Sequence, residues 1–159
     1  MIGQMKVLLR VKDLKQDQAF RELQRRRAAV REAEEETRQA DAAVTESQRT
    51  METREDAIFA GILGRVVDLS EIDATHGRVV ALVREHTVLT DTRERAVHVE
   101  ARLRDEAETQ SGVYQAAVKV RDKYTILTDD LVQARDAERA LAEEVEIEDM
   151  FSRPRKPVS

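Results

Sequence analysis

Three histidines, His76, His86 and His98, are the side chains best suited by type to hold a metal ion or move a proton near neutral pH. Their spacing forms no ligand set, and no His-Glu-x-x-His pair is present. Cysteine is absent, which excludes a disulfide framework and a thiolate metal site. The stretch Gly61-Ile62-Leu63-Gly64-Arg65-Val66-Val67 is glycine-bearing, yet it lacks the Lys-Ser/Thr ending and the preceding strand of a phosphate loop. Carboxylates are plentiful, but they lie on what reads as extended helix, where no concave pocket shifts a pKa. His86, Tyr114 and Tyr124 fall at helical seam spacing and are expected to pack there. The expectation is a chain with no catalytic residue, no cofactor and no metal, and therefore not an enzyme.

Two other groups carry chemistry of a different sort. Between Lys6 and Arg31 the basic side chains Lys6, Arg10, Lys12, Lys15, Arg21, Arg25, Arg26, Arg27 and Arg31 face only Asp13, Asp17 and Glu22. Such a run reads either as a solvated helix face laced by i,i+4 pairs or as a docking surface for an acidic partner. The densest apolar cluster is Phe59, Ile62, Leu63, Val66, Val67, Leu69 and Ile72. It reads first as a small core closing a turn, and second as an exposed contact patch.

The elements that position these groups follow from composition and period. Of 159 residues, 37% are charged and 3% aromatic, with two prolines, five glycines and no tryptophan. A compact globule needs more large apolar side chains than this. Mixed signs and periodic apolar residues oppose disorder, and a coiled coil of long helices fits. In the first half one row recurs every seventh residue: Ile2, Leu9, Gln16, Leu23, Val30, Thr37, Val44, Met51, Ile58. Its companion is Met5, Lys12, Ala19, Arg26, Ala33, Ala40, Ser47, Arg54. Together they alternate by three and four, a heptad seam. In the second half the seam reads Val79, Leu82, His86, Leu89, Arg93, Ala96, Glu100, Leu103, Ala107, Gln110, Tyr114, Ala117. Past Gly112 a second phase fits better: Val113, Ala117, Val120, Tyr124, Leu127, Leu131, Ala134, Glu138, Leu141. The stripe is therefore expected to drift. Arg93 and Glu100 place charge in the seam, with a speculative pairing between them.

Between the halves, Gly64 suits a left-handed helix end and Ser70 an N-cap, with Asp73 three residues on. The expected fold is all-α: two long helices in an antiparallel coiled-coil hairpin, one domain over 1–150. Helix 1 spans about 4–64, the turn about 65–70 and helix 2 about 71–149. Residues 151–159, with both prolines, read as a disordered basic tail. Gly77 and Gly112 read as soft spots rather than breaks. With equal rise on both legs and a turn near Val67, facing residues should have numbers summing to about 134. The second leg then runs past the first as an acidic single helix bearing Glu143 and Glu144.

Net charge is −5, which argues against nucleic acid as the main partner. No apolar run nears the roughly 20 residues of a membrane span. No secretory signal is legible, so the expected location is cytoplasmic, with a signal-less route of export left open.

Several stretches carry a resemblance. Leu8-Leu9-Arg10-Val11-Lys12 with Asp17-Gln18-Ala19 resembles the start of the YscO/HrpO family of type III secretion stalk proteins. So do Arg54-Glu55-Asp56-Ala57-Ile58-Phe59, Gly64-Arg65-Val66-Val67-Asp68-Leu69-Ser70, Arg121-Asp122-Lys123-Tyr124 and Glu146-Ile147-Glu148-Asp149-Met150-Phe151-Ser152-Arg153. In order they span almost the whole chain. The resemblance implies an antiparallel coiled coil similar to the flagellar FliJ protein and to the coiled coil of the rotary ATP synthase gamma subunit. It implies a bacterial central stalk, a monomeric hairpin between a hexameric secretion ATPase and the cytosolic ring of the export gate, with chaperones of secreted substrates as further partners. On this analogy the open end meets the ATPase through Lys6, Arg10, Lys12, Arg25, Arg26 and Arg27, beside Glu143 and Glu144. The turn, through Phe59, Ile62, Leu63, Val66 and Val67, faces the gate. The competing readings are a coiled-coil scaffold whose seam pairs with another chain, and an export escort that holds substrates.

Overall fold

The computed structural model describes residues 1–152. Two helices account for nearly all of them, α1 over Ile2–Ala60 and α2 over Leu69–Ser152, with no strand among the described residues. They form an antiparallel coiled-coil hairpin. The contacts group into two compact units: Met1–Glu22 with Ser111–Ser159, and Leu23–Gln110. α2 runs unbroken through both Gly77 and Gly112, because no proline removes a backbone donor there.

The turn, over residues 61–68, begins earlier and is longer than expected. α1 ends at Ala60, and the next residues close it with Ile62 N and Leu63 N both donating to Phe59 O at 3.0 and 3.1 Å. Gly64 has φ +74°, the left-handed conformation glycine adopts without the Cβ penalty. Arg65 Nε donates to the otherwise unpaired Gly61 carbonyl at 2.8 Å, and its guanidinium lies 3.4 Å from the Glu71 carboxylate at the start of α2. The cap of α2 is Asp68 and not Ser70: Asp68 Oδ1 accepts from Glu71 N at 2.8 Å and Asp68 O from Ile72 N at 3.3 Å. Asp68 with Glu71 places acids at the positive end of the helix, whereas a cap at Ser70 would leave Glu71 N unsatisfied.

In the unit formed by Leu23–Gln110, Leu23, Ala33, Val44 and Ser47 of α1 are buried together with Leu82 of α2. Ser47 Oγ and His86 Nδ1 share a hydrogen bond of 2.8 Å, so these two polar seam residues satisfy each other. Arg93 reaches across to Asp41 at 3.6 Å, while Glu100 takes Arg104 at 2.7 Å. The speculative Arg93–Glu100 pairing is not formed, since each finds a nearer opposite charge. In the unit of Met1–Glu22 with Ser111–Ser159, Ala19 and Thr128 are buried, and the Thr128 hydroxyl returns to Tyr124 O at 2.6 Å. The Phe20 and Tyr114 rings sit 5.5 Å apart, and Arg121 Nε bonds Asp13 at 2.9 Å. Asp13–Arg121, Phe20–Tyr114 and Asp41–Arg93 each sum to 134, the register expected of a turn centred near Val67.

The drift expected past Gly112 does not occur. Beyond Ala117 the shielded positions Arg121, Tyr124, Thr128, Leu131 and Arg135 continue the original three-four alternation, and Val118, Thr125 and Val132 beside them are half-buried. Val113, Val120 and Leu127 stay exposed, one position ahead of each seam residue. α1 sets which face is covered, and the long stems of Arg121 and Arg135 pack in the seam; Arg121 Nε is held by Asp13, while Arg135 Nε is shut from solvent with no hydrogen-bond partner among the described residues.

Of the expected tail, Phe151 and Ser152 form the last turn of α2, and residues 153–159 lie outside the described residues.

Candidate interaction surfaces

The seam consumes part of the basic cluster. Its companion row carries three basic side chains in α1, and each meets a partner on α2. Lys12 Nζ lies 5.3 Å from the Tyr124 ring centroid, Arg26 reaches Glu106 at 2.7 Å, and Arg54 reaches Glu85 at 2.9 Å. A guanidinium or ammonium on an apolar stem suits this place, packing the stem and pairing the head. The Arg54 hydrogen bond, and then its charge, hold the Glu85 carboxyl below the usual carboxylate range. Lys6, Arg10, Arg25 and Arg27 are exposed. Lys6, Arg10 and Lys12 belong to the same unit as Glu143 and Glu144, whereas Arg25, Arg26 and Arg27 belong to the other.

The apolar cluster at the turn does not close into a core. Val66 is 100% exposed, Leu63 72% and Leu69 74%, while Phe59 and Ile72 are exposed and Ile62 and Val67 half-buried. Two helices joined by so short a turn leave no third surface against which these side chains could pack. The local core expected from sequence is replaced by an apolar patch facing solvent.

The acidic end of α2 is likewise uncovered. Every residue from Asp136 to Ser152 is exposed, including Glu143 and Glu144, and helix continues throughout. Leu141, Val145, Ile147, Met150 and Phe151 stand among the acids, with Phe151 88% exposed. The acidic block is not folded back on Lys6–Arg31.

Among the described residues no group of three or more His, Cys, Asp or Glu is placed to hold a metal ion, and no helix is long and apolar enough to cross a membrane. The arrangement offers surfaces rather than a pocket: an apolar turn, an acidic overhang and a flank of exposed basic residues.

No curated protein matches the chain. Its fold is similar to that of a solved structure, the type III secretion protein YscO from Vibrio parahaemolyticus, with a TM-score of 0.85 and 19% sequence identity over 93% of each chain. At that identity the likeness speaks for the fold. The family model described as "Type III secretion protein YscO" matches residues 5–153. That match takes in both helices, the turn and the overhang, and the chain belongs to the YscO family of type III secretion proteins.

Proposed function

We propose that the protein is a non-enzymatic central stalk of a type III secretion apparatus, joining a hexameric secretion ATPase to the cytosolic ring of the export gate. The hairpin over about 1–150 acts as one domain in this reading, in the cytoplasm at the base of the apparatus, and chaperones of secreted substrates are further partners. The observation that carries it is the pair of unlike uncovered surfaces. One is the apolar turn, with Phe59, Ile62, Leu63, Val66 and Val67. The other is the acidic overhang with Glu143 and Glu144, in the same unit as the exposed Lys6 and Arg10. A coupling rod needs two contacts of different chemistry, one for each machine it touches. Among the basic candidates, Lys6, Arg10, Arg25 and Arg27 carry the proposed ATPase contact. Lys12 and Arg26 contribute less, because the seam already uses them.

A scaffold whose seam pairs with a second chain is less well supported. Leu23 and Val44 are fully buried within the single chain, so the seam needs no outside partner. The test is to mix purified protein with the cognate hexameric ATPase and measure binding and the rate of ATP hydrolysis. Binding with a raised rate is expected. If the protein neither binds nor alters hydrolysis, the stalk reading fails.

A further inference from the structure

The heptad row Val113, Val120, Leu127, Ala134 and Leu141 is regular, but it is not the seam with α1. Val113 and Leu127 are each 50% exposed. In α1, Met1 and Leu8 hold the equivalent place, one residue ahead of Ile2 and Leu9, and both are exposed. Met1 and Ala134 line one depression together, which shows that these rows share one side of the helix pair. Beside them Val120, Lys123, Tyr124, Ile126 and Leu127 form an apolar cup of about 500 Å³. The unit thus carries a second, unpartnered seam along its flank, shaped for a third helix.

We propose that, in the chain free of the secretion ATPase, this flank receives the overhang of α2 from a second copy, that the exchange is reciprocal, and that the ATPase displaces it by taking the same overhang. Three observations favour this occupant. The overhang is an uncovered helix whose apolar residues Leu141, Val145, Ile147 and Phe151 need burial. Its charge is strongly acidic, with Glu143, Glu144, Glu146, Glu148 and Asp149, whereas Lys123 lines the cup and Lys119, one helical turn before it, is exposed. Helix also continues without a break through Asp136 to Ser152, so the overhang cannot turn back onto the flank of its own chain. A two-fold axis between two such units lays each overhang, about 25 Å long, beside Leu8, Leu127 and Val120 of the other copy. The seam within each hairpin is untouched, so the dimer separates on dilution into folded monomers.

Sedimentation equilibrium of the full chain over a wide concentration range tests this. The mass should rise from 18.1 kDa toward that of two chains. Val120→Glu with Leu127→Glu on the flank, or Leu141→Glu with Val145→Glu on the overhang, should each weaken association by more than about tenfold. All four positions are exposed, so helicity by circular dichroism should hold. Mixing the two double variants should restore one of the two contacts, and hence part of the association that neither shows alone. A mass fixed at 18.1 kDa at every concentration overturns the proposal and leaves the flank to a different protein. So does a dimer indifferent to both double variants, or a mixture that associates no better than its components.

Discussion

Lys12, Arg26 and Arg54 show how one residue type serves two roles. Read as a list of charges, Lys12 and Arg26 join the basic cluster, but the heptad positions of all three turn each toward α2. The N-cap shows the same dependence on a neighbour. Ser and Asp are both good caps, and Asp68 wins because its carboxylate reaches Glu71 N. Asp68→Ala should cost about 1 kcal/mol in urea unfolding, while Ser70→Ala should be nearly neutral. At Gln16 the seam holds a poorer choice. Its Oε1 is shut from solvent with no hydrogen-bond partner among the described residues. Gln16→Leu removes that orphan and adds apolar burial, so it should raise stability by about 1 kcal/mol or more, read as a higher thermal midpoint. Acid should act through Glu85. Its folded pKa lies below the ordinary 4.5, so the Arg54–Glu85 contact stabilises fully above 4.5 and fades as pH falls through the lower folded value. A comparison with Glu85→Gln at low salt should show a difference in thermal midpoint near neutral pH that closes in acid. Because the pair is exposed, the difference should be small and should shrink with added salt.

At the scale of the helix, the three-four alternation made α1 legible throughout. All the positions it marks except Arg54 are shielded. The first half of α2 was legible for the same reason, and the register followed once the turn was placed. The second half misled because α2 carries two adjacent heptad rows, and the one richer in large apolar residues is not the one α1 covers. Sequence period reports that a face is apolar, and only the partner helix says which face is used. The apolar turn was legible as a cluster. Its exposure was not, since that depends on how little surface two helices can offer at a turn. Glycines divide by the same logic. Gly77 and Gly112 sit in helix with open space where a Cβ would go, so Gly→Ala at either should stabilise by about 0.5–1 kcal/mol. Gly64→Ala also meets no atom, but at φ +74° it should cost about 1 kcal/mol. Chemical denaturation of the three variants checks both signs.

For the whole molecule, the account rests on two uncovered surfaces of unlike chemistry at the turn and at the overhang. Neither is required by the seam, so substitution there should separate function from folding. Leu63→Asp with Val66→Asp should leave the unfolding free energy within about 1 kcal/mol of the parent's, because neither side chain is buried. Secretion in cells carrying that variant should nevertheless fall. The most direct measurement places a photo-crosslinking residue at Val66 in one protein and at Leu141 in another, within cells that assemble the apparatus. The account predicts that position 141 captures the secretion ATPase and position 66 captures the export gate protein. Capture of one and the same partner from both positions, or of neither machine from either, would contradict it.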